Sequence, residues 1–534
     1  MSRVGTDSVV LDGASLTPEA VVAVAREGAT VSIAEDAREA VRESRERVES
    51  VLESGEAVYG VNTGFGELVD ERIPSSDLEP LQENLLRSHA AGVGRELTRE
   101  EVRAMMVARA NALVKGYSGV REEVVDLLVA MLNERLHPVV PSRGSLGASG
   151  DLAPLAHMSL VLIGEGAVSI DGGGSNERET ERLPGDEALA RADLAPVTLE
   201  AKEGLALING TQLSVGLGAL TVHDATVALR SADVAGALTT EVTMGSTVPS
   251  HEAISAVRPH PGQAASARNV RRLTAESGIV ESHRNCDRIQ DAYSLRCLPQ
   301  VHGAVRDALD HLREAVETEL NSATDNPLLF APEDAPDRAS GTGDAAVLSA
   351  GNFHGEPLAL RLDYATSALT ELAAICERRV DRMLNPNLQE DHLPPFLTDR
   401  GGLMSGYMIA QYTAAALLNE CRATGRPSID STPVSGNQED HVSMSGQSSL
   451  SFRSVVESVQ TVVGIELLCA AQAAEFLDGS LSHGVGTAAA YETVRDVIPK
   501  LDADREVHTD IDRARTLVAE GLLVERVGEA VDLE

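Results

Sequence analysis

The chain has no tryptophan and only seven Tyr and six Phe among 534 residues, yet 43% of it is apolar. That apolar fraction excludes disorder for the bulk and is enough to bury a large core. Lysine is nearly missing: Lys115, Lys202 and Lys500 are three of 45 Lys+Arg, which leaves 42 arginines. Against 82 Asp+Glu the net charge is −37. Phosphate neutralisation needs a basic surface, so a protein that coats DNA or RNA is excluded. The balance suits a salt-loaded cytoplasm, where the Debye length is about 3 Å near 1 M salt and carboxylates keep the surface hydrated. An ordinary acidic enzyme with biased codon usage is the plainer alternative. Five cysteines, an odd number with no CxxC, exclude a disulfide framework and imply a reducing, cytoplasmic compartment. The opening MSRVGTDSVVLDGASLTPEA has no apolar core of signal-peptide type. One uncharged stretch, Gly401 to Asn419, contains Ser405, Gln411 and Thr413, which predicts a buried core helix rather than a membrane span.

What the chain does have is helical period. Val305, Leu309, Leu312, Val316 and Leu320 recur three and four apart with charges between them. Val41, Val48 and Leu52 form a shorter stripe. Long, weakly charged helices are predicted from Thr211 to about Thr240, Leu358 to about Cys376 and Ser451 to Phe476, and helices apolar on most sides belong inside a bundle. Strand-like alternation is confined to Val9–Leu11 and Val168–Ile170. Residues 171–187 and 331–345, rich in Gly, Pro and charge, read as solvent loops. The expected architecture is mainly α: a mixed N-terminal part, residues 1–205, followed by a large helical bundle, 206–534.

Common catalytic signatures are missing. No two of the fourteen histidines stand three or four apart, so an HExxH zinc helix is excluded, and there is no GxxxxGK[ST] loop. No convincing strand–GxGxxG–helix unit occurs either. The segment GSLGASGDLAPLAHMSLVLIGE (Gly144–Glu165) opens with a run too glycine-dense for helix or strand. A helix follows, with Asp151 as the expected N-cap, Pro154 in its first turn and Leu155, Met158 and Leu162 on one face. A capped helix start accounts for that string by itself. A chemical reading exists beside it. Gly150 lacks a Cβ, so its nitrogen can approach the Ala148 carbonyl in a tight turn. Ring closure there, with loss of two waters, leaves a methylene derived from Ser149 and an electrophile made from the chain itself, favoured by the positive end of the following helix.

Eight blocks in order carry a resemblance: YGVNTGFG (Tyr59–Gly66), SHAAGVG (Ser88–Gly94), GSLGASGDLAPLAH (Gly144–His157), EGLALINGTQ (Glu203–Gln212), QDAYSLRCLPQ (Gln290–Gln300), SATDNPLLF (Ser322–Phe330), GNFHGEP (Gly351–Pro357) and NQEDHVSM (Asn437–Met444). The sequence resembles the aromatic amino acid ammonia-lyases, most closely their histidine-specific branch, over most of its length. The resemblance implies the up-down bundle fold of the aspartase/ammonia-lyase superfamily, with the N-terminal part carrying the prosthetic loop. It implies that Ala148-Ser149-Gly150 becomes 4-methylidene-imidazol-5-one (MIO), without external cofactor or metal. The implied reaction is loss of ammonia from L-histidine to give trans-urocanate, the first step of histidine degradation.

Roles follow by resemblance. Tyr59 is the base that takes a β-hydrogen, with Tyr293 on the same reaction path. Arg296 clamps the substrate carboxylate with its guanidinium fork. Asn209 and Gln290 supply amide dipoles around the MIO and the amino group. His89 and Glu439 hydrogen-bond the ring nitrogens of histidine, which an apolar ring could not match, and Phe353 packs on its face. Family members often have Pro where this chain has Ala292. A homotetramer with active sites shared between subunits is expected, with no nucleic-acid or membrane partner. Rival readings are a tyrosine or phenylalanine lyase, a 2,3-aminomutase, a serine hydrolase using Ser149, and a non-catalytic bundle protein.

Overall fold

Long segments with few charges can form stable helices only by burying them against one another. The computed structural model, which describes residues 7–55, 58, 60–63, 73–171, 180–284, 286, 288–336 and 339–534, shows that solution. A short helix α1 (Leu152–Leu160) precedes five longer ones: α2 (Gln212–Val242), α3 (Leu298–Leu320), α4 (Glu356–Leu384), α5 (Met408–Ala423) and α6 (Ser445–Ala474). The predicted stripe of α3, Val305 to Leu320, is buried throughout. Each predicted long helix exists: α2 matches its expected bounds within two residues, α4 runs eight residues past Cys376, and α6 starts six residues before Ser451 and ends two before Phe476. Ser445–Ala474 is long and apolar enough to cross a membrane, but 78% of its apolar window is buried inside the bundle.

The helices alternate in direction. Ser214 near the start of α2 bonds Asp151 and Ser445, whereas Thr243 beyond its end accepts from Arg288. α4 starts at Glu356, and Arg379 near its end donates to Ser294, just before α3. α5 returns, with Gln411 bonded to Asp381 and Arg426 beyond its end bonded to Ser367. So α2, α4 and α6 begin at one end of the bundle, while α3 and α5 begin at the other.

Short sheets decorate the N-terminal part: a parallel pair Ser8–Leu11 with Thr30–Ile33, and an antiparallel sheet of Leu136–Pro138, Ala167–Asp171 and Thr180–Pro184. Helix Arg99–Val114 opens with a capping box, Thr98 with Glu101, and packs against α2. Apolar residues from Val9 to Val527 form one contiguous core, so both halves of the chain contribute to it.

Three expectations need correction. The loop expected over 171–187 contains strand Thr180–Pro184 and helix Gly185–Arg191, with residues 172–179 outside the described ones. Strand pairing is made by backbone groups, so it tolerated a polar sequence in which only Leu183, opposite Val168, is apolar. In the second insertion, 331–345, Ser340–Gly341 likewise pairs with the strand Ala346–Leu348, and Asp337 and Arg338 lie outside the described residues. The uncharged stretch from Gly401 is not a core helix. α5 buries only a narrow stripe, Ala410, Ala414, Leu418 and Cys421, and leaves Ile409 55% and Tyr412 62% exposed. The apolar residues of α5 surround the helix, and this chain covers only one side of it.

Candidate active site

The Gly144–Gly150 run has no regular structure of its own and is held from outside. Met444 N donates to the Leu146 carbonyl at 2.7 Å, and Gly355 N and Ser443 Oγ donate to the Gly147 carbonyl at 3.0 and 2.9 Å. At Gly150 φ is +77°, in the left-handed region that favours glycine. A Cβ there would lie 2.2 Å from the Gly210 carbonyl oxygen. The two glycine backbones form a parallel bridge, and Asp151 N donates to Gly210 O at 2.6 Å.

Asp151 occupies the N-cap of α1 as expected, but its side chain does not cap. Stronger donors claim it: Oδ2 accepts from Ser214 N at 2.8 Å, and Oδ1 from Ser145 Oγ at 2.6 Å and Ser214 Oγ at 3.1 Å. Complete burial pushes its carboxyl above the usual range, opposed by these bonds. Beneath the turn, Arg109 donates from Nη1 to the Asn209 carbonyl at 3.0 Å and to Gln212 Oε1 at 2.6 Å. Burial brings that guanidinium down to about 10. Glu319, near the end of α3, accepts from Thr211 Oγ1 at 2.5 Å, and burial pushes it up to about 6.

Ser149 is engaged at both oxygens. Its hydroxyl donates to Glu439 Oε1 at 2.9 Å, and Asn209 Nδ2 donates to its carbonyl at 2.8 Å. The turn opens into a cavity of about 1160 Å³ whose walls include His89, Ala148, Ser149, Asn209, Phe353 and Glu439. Six of the eleven expected site residues therefore line one space, with Gly150 buried in the same turn. His89 Nδ1 lies 2.9 Å from the Leu85 carbonyl, and desolvation lowers its pKa, so the ring is neutral at neutral pH. The N-termini of α2, α4 and α6 converge at this end of the bundle. Each carries about half a positive charge, favouring electron-rich groups there.

Three expected residues lie elsewhere. Arg296 bonds Gln290 and sits over the Tyr293 ring at 4.7 Å, and Tyr293 is 68% exposed. They precede α3, whose 23 residues span about 35 Å before the chain reaches Asn326 in the cavity wall. The length of α4 separates the same two places, with Glu356 in the cavity wall and Arg379 against Ser294. Tyr59 lies outside the described residues; its neighbour Gly60 abuts Pro327 and Leu205.

The sequence reading passed over several wall residues. His354 and His441 stack at 5.7 Å, and Glu356 Oε2 is buried with no hydrogen-bond partner among the described residues. Burial raises the Glu356 carboxyl. The only available signal was their position inside GNFHGEP and NQEDHVSM. For Arg109 there was none, since LVKGY and MVARANA match no catalytic pattern.

A family model described as aromatic amino acid lyase matches residues 16–496. The chain belongs to that family. Among aromatic amino acid lyases, a probable histidine ammonia-lyase of Halobacterium salinarum is 63% identical, over 99% of both chains. A histidine ammonia-lyase of Gloeobacter violaceus is 51% identical over 98% of both. Among solved structures, histidine ammonia-lyase from Trypanosoma cruzi superposes with a TM-score of 0.88 at 40% identity, covering 98% of this chain and 96% of that one. Tyrosine aminomutase from Streptomyces globisporus gives 0.90 at 38% identity over 99% of both. The mainly α bundle is thus this family's fold.

Proposed function

We propose that the chain is a carbon–nitrogen lyase, a histidine ammonia-lyase that eliminates ammonia from L-histidine to give trans-urocanate. The observation that carries this reading is the Ala148–Gly150 turn, held by Asn209 and Glu439 in a cavity that His89 and Phe353 also line. Full-length relatives bearing that name support it.

The residues fit an MIO formed from Ala148-Ser149-Gly150. Gly150, bent into the left-handed region against Gly210, is the one residue type that lets its nitrogen close on the Ala148 carbonyl carbon. The Ala148 carbonyl oxygen leaves as the first water, and the Ser149 hydroxyl with its Cα hydrogen as the second. The departing hydroxyl lies on Glu439, and the carbonyl that remains in the ring already accepts from Asn209. Once formed, such a group supplies an electrophilic methylene that makes the substrate amine a better leaving group.

His89 and Glu439 hydrogen-bond the two ring nitrogens of the substrate imidazole, and Phe353 packs on its face. Arg296 takes the carboxylate, Gln290 braces Arg296, and Tyr59 and Tyr293 handle the β-proton. Since Arg296 stands a bundle-length from Ser149 within one chain, these halves meet across subunits of a homotetramer. Exposed Tyr293, Tyr364, Ile409 and Tyr412 supply apolar contact area for that assembly. Five free thiols and the net charge of −37 support a reducing, salt-rich cytoplasm.

Purified protein incubated with L-histidine should yield urocanate and ammonia, and the intact chain should weigh two waters less than its sequence. Ser149→Ala restores the full sequence mass and removes activity. Cinnamate from phenylalanine, or β-tyrosine from tyrosine, in place of urocanate would overturn the assignment. An active chain of undiminished mass would overturn the MIO.

A further inference from the structure

At the far end of the bundle a polar network is buried among apolar helices. Arg379 of α4, with no solvent exposure, donates from Nε and Nη2 to Glu466 of α6 at 2.5 and 2.9 Å. Both Nη1 and Nη2 lie 3.3 Å from His302 Nε2, and Nη2 also reaches Cys376 Sγ at 3.2 Å. His302 Nδ1 meets Asp233 Oδ1 at 2.7 Å, and Asp233 Oδ2 accepts from Asn269 and Arg306, each at 2.8 Å. Thr239 donates to Glu466 at 2.9 Å. Burial holds the His302 ring in its neutral form, with Nε2 free to accept from the guanidinium.

Such a network adds little stability over a well-packed apolar core, so its retention calls for another role. Among the described residues, one partner of Arg379 lies outside this core. Nη1 donates to the Ser294 carbonyl at 3.3 Å, in the middle of the four-residue helix Tyr293–Arg296. That helix is too short to hold its own geometry. Of its four side chains only Leu295 is buried. α2 makes room for the clamp: a Cβ at Gly236 would lie 3.3 Å from Arg379 Cζ and 2.5 Å from Leu298 Cδ1.

We infer that Arg379 is a positioning residue: held by Glu466 and His302, it fixes the Ser294 carbonyl and so the direction in which Tyr293 and Arg296 are presented. The inference rests on the proposed roles of Tyr293 and Arg296. A guanidinium meets three partners in one plane, and a lysine ammonium in its place cannot.

The experiment compares full-length wild type, Arg379→Lys, Arg296→Lys and the double variant, all shown to have the wild-type oligomeric size and the two-water mass deficit. Arg379→Lys raises KM for L-histidine about tenfold or more with a smaller change in kcat, since a displaced clamp misplaces the substrate carboxylate. The double variant is no worse than Arg296→Lys alone, because the first residue acts through the second. His302→Gln, which leaves the Arg379–Glu466 pair in place, raises KM in the same direction by less, and it serves if Arg379→Lys fails to assemble. Unchanged KM in assembled Arg379→Lys or His302→Gln, or losses that multiply in the double variant, would overturn the inference alone. Unchanged KM in Arg296→Lys would overturn the assigned role of Arg296 and the inference with it.

Discussion

In the proposed mechanism the side chain of Asn209 works through one atom, its Nδ2 on the Ser149 carbonyl. A donor placed on an oxygen that gains charge during reaction is worth about 10²- to 10³-fold in rate, so Asn209→Leu should lower kcat by that order in steady-state assays. Glu319 offers a test at equilibrium. Its carboxyl titrates near 6 in the folded chain against an ordinary value of 4.5, because burial penalises the charged form. The folded chain holds that proton more tightly than the unfolded one, so stability falls as pH rises from 4.5 to about 6. The loss approaches about 2 kcal/mol, and denaturant titration should find Glu319→Gln more stable than wild type above that window and equal to it below. Neither Glu319 nor Arg109 was legible in the sequence. A lone acid or arginine inside a helix acquires meaning only when folding brings Thr211 or the Asn209 carbonyl against it. Ser149, Asn209 and Glu439 were legible because their neighbours form recognisable blocks.

Among the elements, the bundle helices could be read because their burial is written as period: Val305 to Leu320 repeats every three or four residues, and that face is the one α3 buries. Leu312, at no exposure, should lose about 2–5 kcal/mol on replacement by alanine, read as a lowered denaturant midpoint. The strand Thr180–Pro184 and the exposed face of α5 could not be read this way. The first is made by backbone groups without an apolar signature. The second has its apolar residues all round, and composition does not say which side this chain covers and which it leaves bare. The non-capping Asp151 shows the same limit at a helix end, where residues distant in sequence outcompete the local bond.

Considered as a whole, the molecule carries 82 acids against 45 cations. Repulsion among exposed carboxylates is screened within a few ångström near 1 M salt, so the melting temperature should climb with KCl from 0.1 to above 1 M. The assembly proposal has its own test. Ser149→Ala and Arg296→Ala, each inactive alone, should regain activity when co-expressed as mixed tetramers, because some of the resulting sites pair an intact turn with an intact clamp. Absence of rescue in verified mixed tetramers would place both groups of residues in service of one chain. If the assembly proposal holds, the bundle-length gap between Ser149 and Arg296 makes each polypeptide a bearer of two unmatched halves, a socket at one pole and a key at the other. Turnover is then a collective property: on progressive dilution the rate per milligram should collapse together with the assembly, with an apparent order in enzyme above one.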